Sequence, residues 1–538
     1  MKFLPIVERE LLIAARGPAA YRWRTGVAAA GLAFVALIAG LQSARGIPAP
    51  AQGMAMFRAL ILLSTLYAFL ASVAVTADCI SREKREGTLG LLFLTDLRGW
   101  DIILGKLAAN SLNTIYGLLG LLPLLALPIL MGGVSIAAGV GATVAVVNLL
   151  FVSLSLGICV SSLSWDERRA TFAALTVGLV LLVGPLLLAG LGTYFGQPST
   201  HAWLVAGLSP IYPLISGISL TGANAAPIAL LPSHLLGWAL LAMASLLAQS
   251  TWQSRGDAGA RRTVDDRVFT PRHPAARAGH RRRTLDVHPL VWLLERHPGK
   301  RFYADGLVLA IVLIWAWGFR TYGTDMFGGP TWFLIVPLAF TVHLILTSWV
   351  VAESSMRLLE DRRSGALELL LCTALTDRDL IRGHRLALRR LFLRPVLLLA
   401  AAEVFVAFTG FGTSDDAAAQ NGRWLMLAMA SAILLDTHAL SWIALRLATS
   451  LSSVNRVGLV ALAITPFGPA LLAALTITLV SLFTRGGSLV SFPTGLAIWF
   501  GWVVVVDLVV GWGLCRSSLL RGFRETVCHA EHRANTTA

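Results

Sequence analysis

The chain alternates long apolar runs with short polar segments. A helix needs about 20 apolar residues to cross the hydrocarbon core of a bilayer, and runs of roughly that length recur along the chain. In the first half they are Thr25–Leu41, Ala59–Ala77, Leu107–Met131, Val134–Leu163, Ala170–Tyr194 and Ile228–Ala248. In the second half they are Tyr303–Phe319, Thr331–Ala352, Leu391–Phe411, Trp424–Ala448, Val457–Phe483 and Pro493–Cys515. The pattern predicts an all-α polytopic membrane protein of about twelve transmembrane helices, organised as two parallel six-helix repeats. Residues 1–250 form the first half, 251–287 a basic linker, and 288–538 the second half with a short tail.

Composition agrees with this reading. Of 538 residues, 56% are hydrophobic and only 14% are charged, against about 25% charged in a soluble protein. Mean hydropathy is +0.72. The first residues, MKFLPIVERELL, place Glu8, Arg9 and Glu10 where a cleavable leader would be apolar, so no such leader is expected. The five cysteines are scattered, without metal or redox spacing.

The formal charge of +15 admits two explanations, nucleic-acid binding or the positive-inside bias of a membrane protein. Position separates them. With the N-terminus inside, all but five (Arg45, Arg58, Arg320, Arg423, Arg485) of the 44 lysines and arginines fall on the inner side. That asymmetry is topological, so both termini are expected in the cytoplasm, the bilayer is the partner of the basic charge, and nucleic acid is not. Thr251–Val287, with nine arginines, reads as a flexible cytoplasmic connector whose Arg281–Arg283 triplet sits near anionic headgroups.

An internal repeat carries most of the functional information. Arg85–Gly105 (REGTLGLLFLTDLRGWDIILG) and Arg363–Gly383 (RSGALELLLCTALTDRDLIRG) align at an offset of 278 with ten of 21 residues identical. Both follow a span ending in alanine and an acid (Ala77-Asp78, Ala352-Glu353). Leu89, Leu92 and Phe93, and again Leu367, Leu370 and Leu371, share the helical spacing of one apolar face. Each copy therefore predicts a helix, a turn and a second helix on the cytoplasmic surface. Thr376-Asp377-Arg378-Asp379 fits a capping box, whereas Arg98 replaces the hydroxyl in the first copy and requires a different cap.

These residues resemble the segment R-E-x-G-T-L-E-L-L-L-x-T-P-L-x-x-x-E-I-x-x-G-K of the type-2 ABC transporter permeases. Glu86, Gly87, Thr88, Leu89, Leu91, Leu92, Thr95, Leu97, Asp101, Gly105 and Lys106 match in the first copy. Gly365, Leu367, Glu368, Leu369, Leu370, Thr373, Leu375, Asp379 and Gly383 match in the second. Gly90, Asp96, Ala374 and His384 depart from the pattern. The resemblance implies a permease subunit of a bacterial inner-membrane exporter that binds no cofactor itself. Separate nucleotide-binding ABC ATPase subunits, using ATP and Mg, would contact Glu86, Gly87, Thr88, Leu89, Leu92, Thr95 and Asp101, and Gly365, Leu367, Glu368, Leu370, Thr373 and Asp379. It further implies an interfacial helix at Lys2–Arg24, copied more crudely at His288–Pro298, and an outer re-entrant region at Phe195–Pro227 against a shorter Thr484–Phe492.

No ATPase motif is visible: Gly99–Lys106 has one residue too many for a phosphate loop and no following Ser or Thr. Nor does the sequence contain a catalytic constellation, so an enzyme or a purely structural role is a minor alternative. A second transport reading rests on His343, Glu403, Asp436, His438 and Asp507, ionisable residues inside predicted spans and all in the second half. They would line a substrate or proton path, as in an ion-coupled transporter, or bind helices together. Asp436 and His438, two apart, point to different helix faces. Gly184-Pro185 and Gly468-Pro469 occupy matching points of spans five and eleven and read as repeat architecture, or as a gating hinge. The transported substrate is not legible.

Overall fold

A computed structural model of the chain is all-α, with no strand among the described residues. These are 48–95, 97–165, 167–194, 199–219, 226–251, 285–294, 299–322, 332–409, 417–451, 454–483 and 491–525, with fragments at 7–8, 25–29, 31–32, 35–36, 39, 279 and 281–282. Most of Lys2–Arg24, most of the linker and most of Thr484–Phe492 lie outside them, and Thr25–Leu41 is described only in fragments. The chain divides into two compact units, Met1–Gly256 with Leu482–Gly487 and Asp257–Ser481 with Ser488–Ala538.

In the first unit α1 (Ala49–Thr76) leads through Ala77-Asp78 into α2 (Cys79–Glu86), α3 (Thr88–Leu94) and α4 (Gly99–Leu121). A 3-10 turn (Leu122–Leu125) joins α4 to α5 (Ala126–Leu130). Then come α6 (Ile136–Leu163), α7 (Glu167–Tyr194), α8 (Ser199–Gly207), α9 (Tyr212–Ser219) and α10 (Ala226–Thr251). Helix α6 is the centre, packed by α1 and α10, and its Val146, Leu149, Val152 and Ile158 are wholly buried. Helices α8 and α9 occupy most of the expected re-entrant stretch. Their connection is fastened by buried Ser209, whose hydroxyl donates to the Leu182 carbonyl, three residues before Pro185.

The second unit holds α11 (Pro289–Leu294), α12 (Gly299–Tyr322), α13 (Trp332–Arg363), α14 (Ala366–Leu371), α15 (Asp377–Thr409) and α16 (Ala417–Ser450). Helix α17 (Val454–Leu462) passes through a π-helical turn, Ala463–Phe467, into α18 (Gly468–Phe483), and α19 (Phe492–Val506) continues as a π segment, Asp507–Cys515. The centre is α16, packed by α13, α15 and the π segment. Methyl-free Gly511 permits this last approach, because a Cβ there would come within 2.6 Å of the Ala439 Cβ. Small residues at such crossings let helix backbones meet closely.

Ten helical stretches among the described residues are long and apolar enough to cross a membrane: Ala49–Glu86, Gly99–Leu130, Ile136–Leu163, Ala170–Gly190, Ala229–Ser250, Leu338–Arg362, Asp377–Thr409, Gln420–Ser450, Arg456–Ile477 and Phe492–Glu525. They turn leucine and phenylalanine outward, as at Leu62, Leu246, Phe408 and Leu514, while burying carboxylates and serines. That is the distribution lipid favours and water does not. Twelve spans were expected. Thr25–Leu41 is described only in short fragments, and around Tyr303–Phe319 only the shorter stretch Ala304–Leu313 is apolar enough. Several helices also outrun their apolar stretches. The second span begins ten residues early and includes Arg58, and the ninth begins at Asp377 rather than Leu391. Hydropathy marks the lipid-facing length, whereas the helix continues through polar turns. The matched Gly-Pro points also differ, since α7 runs α-helical through Pro185 while a π turn containing Pro466 precedes Gly468.

Replacing Gly511 with valine is expected to destabilise the fold by about 1–3 kcal/mol through overpacking against Ala439, read as a lower thermal midpoint of the detergent-solubilised protein.

Candidate functional site

The two repeat segments fold alike. A left-handed glycine, Gly87 (φ 76°) or Gly365 (φ 72°), breaks the preceding helix and starts a short one, α3 or α14. Non-glycine residues resist that backbone by about 1–2 kcal/mol, which explains a glycine at both positions. Leu89 and Leu367 are buried, with Leu92 and Leu370 packed beside them. Leu91 and Leu369 instead stand 63% and 73% exposed. The hydroxyls of Thr95 and Thr373 each donate to the carbonyl three residues back, Leu92 and Leu370, at 2.6 Å. Asp101 accepts from the Arg98 N–H at 3.0 Å and Asp379 from the Thr376 N–H at 3.1 Å. In the second copy the Asp379 N–H reaches the Thr376 hydroxyl at 3.3 Å, completing the predicted capping box. The first copy, with Arg98, makes half of it. The helix after each turn is not a separate surface helix, as expected from the sequence, but the first turns of the next long helix, α4 or α15. Glu86 and Glu368 are exposed, and Glu86 pairs with Arg82 at 2.9 Å on the surface.

Each hairpin is anchored to the central helix of its unit. In the first unit Ser161 of α6 accepts the N–H groups of Ile80 and Ser81 at 2.9 and 3.0 Å, capping α2 from outside. In return Lys84 donates to the Ser162 carbonyl in the last turn of α6 and lies 5.6 Å from the centre of the Trp165 ring. In the second unit Arg362, 278 residues on, donates to the carbonyls of Ala448 and Thr449 at 3.3 Å, in the last turn of α16. Terminal helix carbonyls lack intrahelical donors and favour cations. Around the first anchor Arg85 forks onto Asp78 at 2.7 and 2.8 Å, and Lys106 meets Glu83, itself a partner of the Thr88 hydroxyl, at 2.7 Å. Lys106 is therefore a buried member of an ion pair on a helix, unlike a phosphate-loop lysine. Its counterpart, His384, is buried with Nε2 unpartnered among the described residues.

The second unit gathers most of the predicted path residues. His343 Nε2 lies 3.0 Å from Glu403 Oε1, both buried. Asp436 interacts electrostatically with His343 and with Asp507. The Gly511–Ala439 crossing explains the last pairing, since Asp507 and Asp436 sit one turn before those residues on the same helix faces. The line Glu403, His343, Asp436, Asp507 draws one group from each of four helical segments. Both Asp507 oxygens, Asp436 Oδ1 and Glu403 Oε2 lack a hydrogen-bond partner among the described residues. His438 does not join them. It lies within electrostatic reach of Arg385, Arg389 and Arg516, on the opposite side of α16.

The sequence reading confined ionisable residues within predicted spans to the second half, whereas His234 lies inside the predicted span Ile228–Ala248, exposed on the helix surface. His234 of α10 contacts Asn148 of α6 (Nδ1 to Oδ1, 3.0 Å), Asn148 donates to Ser233 at 2.9 Å, and Trp238 donates to His234 Nε2 at 3.1 Å. His234 interrupts an apolar run, which was its only signal. Lys84 and Arg362 were also missed, because they stand one residue before the aligned window and are not identical.

No known protein family, characterised protein or solved structure matches the chain.

The buried line makes opposite predictions for two variants. Two facing buried carboxyls cannot both ionise cheaply, so Asp507→Asn should raise the thermal midpoint. His343→Leu strands Glu403 and should lower stability by roughly 1–3 kcal/mol, measured on the same solubilised protein.

Proposed function

We propose that the protein is the membrane-spanning permease of an ATP-driven ABC exporter in a bacterial inner membrane, built as two six-span halves with cytoplasmic termini. Hydrolysis belongs to separate nucleotide-binding subunits, and the two hairpins serve as their docking elements, one chain for two such subunits. The carrying observation is the hairpin's recurrence: the same left-handed glycine, buried leucine, exposed leucine and acid-capped restart appear twice, each tied to a central helix end. A helix break is costly inside a membrane protein, and an exposed leucine on a short polar-flanked helix is suited to an apolar partner pocket. Motion of a docked subunit would pass to α6 or α16 through Lys84 or Arg362.

A second reading is favoured by the Glu403–His343–Asp436–Asp507 line, which is suited to moving a proton in an ion-coupled transporter. The two readings separate in reconstituted vesicles. The permease reading requires transport that depends on ATP and a co-purifying P-loop ATPase. Transport that survives ATP depletion and stops when the proton gradient is collapsed would replace it with the second.

Leu91→Glu with Leu369→Glu is expected to abolish co-purification of the ATPase. The thermal midpoint should stay near that of the parent, because exposed positions usually shift stability by only about 0.5 kcal/mol.

A further inference from the structure

Beside the second hairpin and away from the buried acid line, the second unit contains a groove of about 570 Å³ between the start of α15, the last third of α16 and the end of the π segment after α19. Arg378, Arg382, Arg385 and Arg389 line it from α15 at intervals that keep them on one helix face. Arg516 faces them from the opposite wall. Arg385 stacks on the Trp442 ring at 3.8 Å and Arg516 on the Trp512 ring at 4.9 Å. Arg385 is close enough to be repelled by both Arg389 and Arg516. None of the five forms an ion pair among the described residues. The nearby carboxylates are engaged elsewhere, Asp379 in its capping box and Asp377 with Arg524 at 2.6 Å. The buried donors Arg385 Nε and Trp442 Nε1 have no acceptor among the described residues.

Five cations converge here with no carboxylate in ion-pair contact among the described residues, Asp379 acting on Arg382 only electrostatically, which leaves a net positive groove suited to an anion rich in acceptor oxygens. The helix faces beyond the groove indicate its source. One turn past Arg389 on α15 come Leu393 and then Leu397, 46% and 49% exposed. One turn before Arg516 come Trp512 and then Leu508, 49% and 47% exposed. The cations thus sit at the border where an outward apolar surface begins, with indole rings at the same level, the arrangement of a headgroup zone. We propose that this groove holds the phosphodiester headgroup of an anionic phospholipid, whose acyl chains run along the Leu393–Leu397 and Leu508 surfaces. The site uses neither the exposed Leu369 nor the acid line, although Arg378 and Arg382 belong to the second repeat segment.

The test uses the full chain in a neutral detergent, titrated with short-chain phosphatidylglycerol, with short-chain phosphatidylcholine and with inorganic phosphate. Binding is read by native mass spectrometry and by thermal shift. The wild type should retain phosphatidylglycerol and not phosphatidylcholine, and inorganic phosphate should not displace it. Arg385→Gln with Arg516→Gln should weaken phosphatidylglycerol binding about thirtyfold, each cation near an anionic headgroup being worth about fivefold. Arg378→Gln with Arg382→Gln, at exposed positions, should weaken it comparably and decides the matter if the first pair fails to fold. Arg456→Gln, an exposed cation of α17, should leave binding unchanged. Undiminished binding in a folded double variant overturns the proposal, as does equal retention of the two lipids. Displacement by inorganic phosphate would make the groove a small-anion site and exclude the lipid.

Discussion

The carbonyl end of a long membrane helix presents acceptors that neither the helix nor lipid can satisfy. In each unit the helix at the centre of the packing, α6 or α16, meets at its end a cation sent from the hairpin region two long apolar helices earlier. Lys84 reaches the Ser162 carbonyl, and Arg362 reaches Ala448 and Thr449. In the first unit the bond is reciprocated, because Ser161 closes the orphan donors of α2. The break introduced by Gly87 or Gly365 is thus held at one fixed place against the bundle. This constraint gives the hairpin one buried leucine and one exposed leucine in the same register both times.

The units diverge in what they bury beyond that shared anchor. The first pairs its buried carboxylates and Asn148, as in Asn148 with Ser233 and His234, Glu83 with Lys106, and Asp78 with Arg85, and leaves only neutral atoms such as Ser64 Oγ and Asn110 Nδ2 unpartnered among the described residues. The second leaves groups open. On one side of α16, Asp436 meets His343 and Asp507, with several carboxyl oxygens unpartnered among the described residues. On the other, His438 and Trp442 face a groove of arginines. Two residues of one helix therefore separate an acidic region from a basic one, a consequence of the 100° turn per residue.

A closed polar set rigidifies, whereas an open one is costly unless something binds it. The hairpin of the first unit is accordingly fastened by a buried ion pair, whereas the second unit keeps buried carboxyl oxygens and arginines open among the described residues. The change from Lys106 to His384 fits this division, since it removes from the second copy the cation that locks the first.

Sequence by itself determined the all-α class, the positions of ten of the apolar spans, the repeated hairpin, its buried leucines and the capping box at Thr376. All of these follow from spacing within a few turns of one helix, and apolar period and cap chemistry are local. It set helix ends less well, because polar turns continue a helix past its apolar run, as at Asp377. Only the tertiary structure decided which distant side chains meet. Glu403 and His343 are 60 residues apart, and Lys84 and Ser162 are 78 apart. Asp436 and Asp507 face one another because Gly511 admits Ala439. Those meetings depend on how helices rotate and cross, which is set by packing among many residues at once and leaves no mark in any short window of the chain.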